Sequence, residues 1–108
     1  MIVPTPITAA LVADSATAYY TVPANTRPII QQLTFTNTDD TNAIAVTVYV
    51  GSTAGDAQML VNERVLAAKE TWECYPAHGR AMVAADAIKA LAGTASKISI
   101  QGGVLQIT

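Results

Sequence analysis

The sequence predicts an all-β domain: a two-sheet antiparallel β-sandwich of jelly-roll or related Greek-key type. Three observations predict it. Turn-forming clusters recur at short intervals, at Pro23–Thr26, Asn37–Asn42, Gly51–Asp56, Pro76–Gly79, Gly93–Ser96 and Gly102–Gly103. The runs between them are short and rich in Val, Ile, Thr and Tyr, residues that suit a pleated, half-buried surface. Within the runs, large aliphatic residues alternate with small or polar ones, the period-two signature of a strand.

Along the chain, Pro4 and Pro6 cannot lie in a central strand. Residues 1–15 therefore read as an extended N-terminal arm or edge strand, with a strand over 7–11, ahead of a sandwich domain spanning 16–108. Strands are expected over 18–22 and 28–37; in the second, Leu33 and Phe35 share one face and Thr34 and Thr36 the other. Residues 43–50 carry the plainest alternation, with Ile44, Val46, Val48 and Val50 on one face. Strands over 58–66 and 70–75 follow, the latter with Trp72 and Cys74 on one side and Glu73 opposite.

The segment 81–91 has a rival helical reading, because Ala is dense there and is the best helix former. The run Ala84-Ala85-Asp86-Ala87 also reads as a turn, and strands over 81–84 and 87–92 are preferred. Over 97–101, Ile98 and Ile100 face inward. Gly102–Gly103 has the composition of a two-residue hairpin turn, after which 104–108 resumes with Leu105 and Ile107 on the core face. Eight or nine strands are expected, with one or two of these segments short or irregular.

Composition narrows the function classes. The chain has 108 residues, one domain's worth. Ala contributes 20 residues, Val plus Ile 19 and Thr 14, while aromatics are only 6%. The one Cys excludes an internal disulfide framework, and the high hydrophobicity excludes intrinsic disorder. The six basic residues are scattered, so no electrostatic footprint for nucleic acid is present. No apolar run reaches the ~20 residues of a membrane helix, so no membrane partner is expected. The opening Met1-Ile2-Val3-Pro4 lacks the basic region of a secretory signal and reads as mature protein made in the cytoplasm. Charged residues are 13%, about half the usual ~25%. So little charge leaves a monomer poorly protected in water, which predicts a homo-oligomer or a surface covered by partners.

Catalytic constellations are weak. Cys74 and His78 are four apart, but zinc needs further strong ligands and the chain has no second Cys or His. A buried Cys beside Trp72 and an exposed loop His are the expected roles. Asp39–Asp40 lacks the Gly and Glu of a calcium loop and reads as a hairpin turn. Gly51–Gly55 lacks the Lys of a phosphate loop and reads as a hairpin tip. Glu70 and Glu73 fall on opposite faces of a strand and cannot share a substrate. No catalytic residue, cofactor or metal is expected. Tyr19, Tyr20, Tyr49 and Tyr75 offer a protein- or sugar-binding surface; adjacent Tyr19 and Tyr20 are expected on opposite faces.

The stretch Tyr20-Thr21-Val22-Pro23-Ala24-Asn25-Thr26-Arg27-Pro28-Ile29-Ile30, with Leu33-Thr34-Phe35-Thr36-Asn37-Thr38-Asp39, resembles an opening found in small all-β structural proteins of tailed-phage virions. Leu66-Ala67-Ala68-Lys69-Glu70-Thr71 is similar to their strand entry L-A-A-G-E-T, with Lys69 in place of Gly. Ala84-Ala85-Asp86-Ala87-Ile88 is similar to their A-G-D-x-I turn, with Ala85 in place of Gly. The resemblance implies a non-enzymatic virion subunit. The first expectation is a capsid decoration (cement) protein, favoured as a trimer, bound to the major capsid protein or another virion protein. A tail, neck or fibre subunit is the alternative, followed by a carbohydrate-binding module. Ile2, Val3, Pro4, Pro6, Tyr19, Tyr20 and Tyr49 are the candidate interface residues, and residues 1–15 are expected to lie across a neighbour as an added strand.

Overall fold

The computed structural model describes residues 1–108 as two four-stranded antiparallel sheets packed face to face. The strands are β1 (Ile2–Leu11), β2 (Thr17–Thr21), β3 (Ile29–Asn37), β4 (Ile44–Gly51), β5 (Met59–Leu66), β6 (Thr71–Glu73), β7 (Ala87–Ala92) and β8 (Ile98–Ile107). One sheet has the order β1-β8-β3-β6 and the other β2-β7-β4-β5.

This order follows from folding the chain in half at the β4–β5 hairpin. The pairs β4·β5, β3·β6, β2·β7 and β1·β8 then form in turn, alternating between the sheets. β3·β8 and β4·β7 knit each sheet together. That winding is the eight-stranded jelly roll. Gly51–Asp56 caps a true hairpin, whereas Pro23–Thr26 and Asn37–Asn42 cross between sheets. The Asp39–Asp40 segment is therefore an arch and not a hairpin.

The core follows the alternation. Ile44, Val46, Val48 and Val50 face Leu33, Phe35, Ile98 and Ile100 across the sheets, all buried. Ala87–Ala92 is a strand, so the helical alternative fails: Ile88, Ala90 and Ala92 all pack inward at period two.

Three expectations need correction, and one pair of alternatives is resolved. Residues 81–84 are not a strand; only Ala81 bridges Ile29. Gly102–Gly103 is not a turn. β8 runs through it, and Ile98, Ile100, Gly102 and Val104 keep one continuous phase. Val104 is buried, while Leu105 and Ile107 face outward. Residues 2–11 pair along the chain's own β8, which selects the edge strand over the extended arm for this segment. Finally, Tyr19 and Tyr20 do not take opposite faces. A bulge places two β2 residues opposite one step of β7, and both rings pack against the core.

Buried polar groups are all partnered. The Asn37 amide donates to the Asn42 and Leu66 carbonyls, both at 3.0 Å, and its oxygen accepts the Asp39 N–H. The Thr47 hydroxyl accepts the Glu63 N–H where β5 bulges.

Candidate interaction surface

The phase of β1 decides what it presents. Met1 and Thr108 exchange main-chain hydrogen bonds. In an antiparallel ladder such pairs alternate with non-bonded pairs, so Val3, Thr5 and Ile7 turn their main-chain groups toward β8. Ile2, Pro4 and Pro6 turn theirs to the open edge. Both prolines thus sit where no ladder bond is lost and where the free edge loses a donor.

The side chains of Ile2, Pro4 and Pro6 point away from the core, since Ile7 on the opposite phase is buried. Their cross-strand partners are Ile107, Leu105 and Gly103, and Leu105 is flanked on its far side by Ile29. Directly opposed side chains lie ~5 Å apart. The outer face of this sheet therefore carries one continuous apolar block: Ile2, Pro4, Pro6, Ile29, Leu105 and Ile107. Ile2 is 63% exposed. Ile107 continues the block into an open hollow of about 600 Å³ beside Val83, with Arg27, Asn25 and Thr26 at its rim. Val83 is 52% exposed.

Beyond Gly102 the same face turns polar. Thr34 lies opposite Gln101 and Thr36 opposite Ser99, and the Thr36 and Thr71 hydroxyls share a hydrogen bond of 3.1 Å.

The candidate residues divide accordingly. Ile2, Pro4 and Pro6 come together on the apolar block. Val3 pairs with Gln106 on the inner side, where the Gln106 amide donates to the Tyr20 hydroxyl at 2.8 Å. The Tyr19 hydroxyl accepts the Ala13 N–H at 2.7 Å. Both tyrosines serve the fold, and Tyr49 lies on the outer face of the other sheet, opposite Lys89. No shared tyrosine platform forms. Sequence reasoning missed Ile29, Leu105, Ile107 and Val83; an unbroken count of period two from Ile98 to Ile107 would have turned Leu105 and Ile107 outward.

The remaining edges are poor templates for a partner strand. β6 has three residues, β2 has five with its bulge, and β5 is interrupted by irregularities near Glu63 and Leu60.

Titratable groups have structural roles. Cys74 is buried, and desolvation pushes its thiol up from 9.0 to about 11. Such a thiol is a poor nucleophile at neutral pH. His78 is half-buried, not an exposed loop residue: its Nε2 accepts the Leu33 N–H at 3.2 Å. Hydrogen bonds from the Thr41 and Asn42 N–H groups hold the Asp39 carboxyl below its ordinary range. No group of three or more His, Cys, Asp or Glu side chains is placed to hold a metal. No family model, no curated protein and no solved structure matches this chain.

Proposed function

We propose that this protein is a non-enzymatic structural subunit of a tailed-phage virion, and first a capsid decoration protein that docks through the outer face of the β1-β8-β3-β6 sheet. The observation that carries the reading is the continuous apolar block Ile2–Ile107, Pro4–Leu105–Ile29 and Pro6 on a rigid sheet. The sequence resemblance and the low charge support it, as does the jelly roll, an architecture that recurs in viral shells.

Magnitudes shape the mode of binding. From strand spacing and rise, the block covers roughly 200–300 Å², against ~800 Å² per partner in a stable interface. One copy on one site is a weak contact. Several blocks presented together gain by avidity, which favours a homo-oligomer, with three copies the first arrangement to test. Binding the closed shell in preference to a loosened one then stabilises the head by mass action.

Electron microscopy of virions labelled with antibody against this chain tests the reading. Label over the whole head is expected. Label confined to tail or neck would move the protein to that station, and unlabelled particles would overturn the virion reading.

A further inference from the structure

We propose that His78 is a pH-operated latch holding segment 74–80 against β3. β6 ends at Glu73, and the chain leaves the sheet in a 3₁₀ turn at Tyr75–Ala77. β3 still has main-chain groups facing that side. The Leu33 carbonyl accepts the Cys74 N–H at 2.8 Å, the Ile30 carbonyl accepts the Gly79 N–H at 2.7 Å, and the Ile30 N–H donates to the Arg80 carbonyl at 2.9 Å. The fourth group, the Leu33 N–H, faces the gap left by the turn. There it donates to His78 Nε2 at 3.2 Å, so an imidazole nitrogen stands where a strand carbonyl would.

That substitution makes one rung of the ladder depend on an imidazole lone pair. Nε2 accepts only through its lone pair, so the ring carries its proton on Nδ1. A second proton, placed on Nε2, converts the acceptor to a donor aimed at another N–H. No carboxylate pairs with the ring: the one ion pair in the molecule joins Lys69 and Asp40, and on β6 the charged residue is Glu73, opposite Thr34. On its own turn His78 meets the edge of the Tyr75 ring, centroids 5.4 Å apart, and the turn begins at the buried Cys74. β3 contributes uncharged Gln31, Gln32 and Leu33. The packed strand β5 contributes Glu63 and Arg64, and the Arg64 guanidinium lies 5.0 Å over the Trp72 ring. Arg80 follows two residues on. Protonation therefore breaks this one rung and loosens the turn between Cys74 and Gly79, while the three main-chain bonds on either side of it remain. The latch does not depend on what the apolar face binds.

Nuclear magnetic resonance on the full chain tests this. At about pH 8 the ring nitrogens should report the Nδ1–H tautomer. On moving to about pH 5, the exchange protection factor of the Leu33 amide should fall at least tenfold. The Ile100 amide, on central β8, is the control for global loosening and should hold its protection. In His78→Gln, whose amide oxygen accepts at either pH, Leu33 protection should stay constant. An Nε2–H tautomer at about pH 8, or unchanged Leu33 protection in the wild type, would overturn the latch. So would the same tenfold fall in His78→Gln. The tautomer and the wild-type pH series remain decisive should the variant not fold.

Discussion

Gly102 lies beneath the main-chain carbonyl of Gln32, in the space that a side chain would need. A Cβ built there overlaps the Gln32 oxygen and comes within 3.1 Å of Leu33 Cα. The approach arises because both flanking strands lose register beside this glycine, β3 between Ile30 and Gln32 and β1 between Ile7 and Ala10. Gly102→Ala should therefore cost ~1–3 kcal/mol, the range for overpacking. A Cβ at Gly103 meets only the Thr5 oxygen at 3.5 Å, so Gly103→Ala should cost well under ~1 kcal/mol. Urea denaturation of the two variants measures the difference.

Two turns share one construction. In Ala67–Glu70 and Val83–Asp86, the fourth N–H bonds the first carbonyl, the third residue has positive φ, and the terminal carboxylate accepts the first N–H. Lys69 has φ 65 and Ala85 φ 73, the pattern of a type II turn that favours Gly. The left-handed conformation costs non-Gly residues roughly 1–2 kcal/mol, while Gly loses about 0.4–1 kcal/mol through the unfolded chain. Ala85→Gly should thus raise stability by about 0.5–1 kcal/mol. Lys69→Gly should gain less, because it removes the exposed ion pair to Asp40 at 2.7 Å, an interaction worth ~0–1 kcal/mol. Thermal melts should rank Ala85→Gly first.

Asn37 ties the β3–β4 arch to the end of β5. Asn37→Ala strips donors from two carbonyls, one of them buried, and should cost ~2–4 kcal/mol. Chemical denaturation checks this, and amide exchange should rise first at Asp39 and Asn42.

Cys74 sets an alkaline limit. Well below pH 9.0 the thiol is neutral in folded and unfolded chains alike. Between 9.0 and about 11 the unfolded chain ionises first, so it binds fewer protons and stability falls as pH rises. The loss attributable to this thiol reaches about 3 kcal/mol at most. Cys74→Ala should flatten that part of the stability–pH curve; an unchanged slope would place the effect on another group.

Much of the fold was legible. β4 read directly, because each large aliphatic residue in it is buried and no bulge interrupts the hydrophobic phase. Errors fell where bulges and glycines intervene. Gly102–Gly103 has a turn's composition, yet glycine also permits close approach of two strands, and composition alone cannot separate these uses. The β2 bulge likewise broke the alternation on which the placement of Tyr19 and Tyr20 depended. Half the apolar block was readable from Ile2, Pro4 and Pro6. The other half lies on β8 and β3, and it joins the first only through a strand pairing that spans nearly the whole sequence.

The proposed function requires this apolar face to be covered in the working assembly. Because β1 is integral to the sheet, point substitutions test the face better than truncation. Light scattering should compare the wild type with Ile2→Lys/Ile107→Lys, alone and mixed with empty tailed-phage heads, the partner proposed above. A covered face requires a wild-type oligomer that adds mass to the heads, and a folded double variant that does not. A wild-type monomer that leaves the mass of the heads unchanged would contradict it.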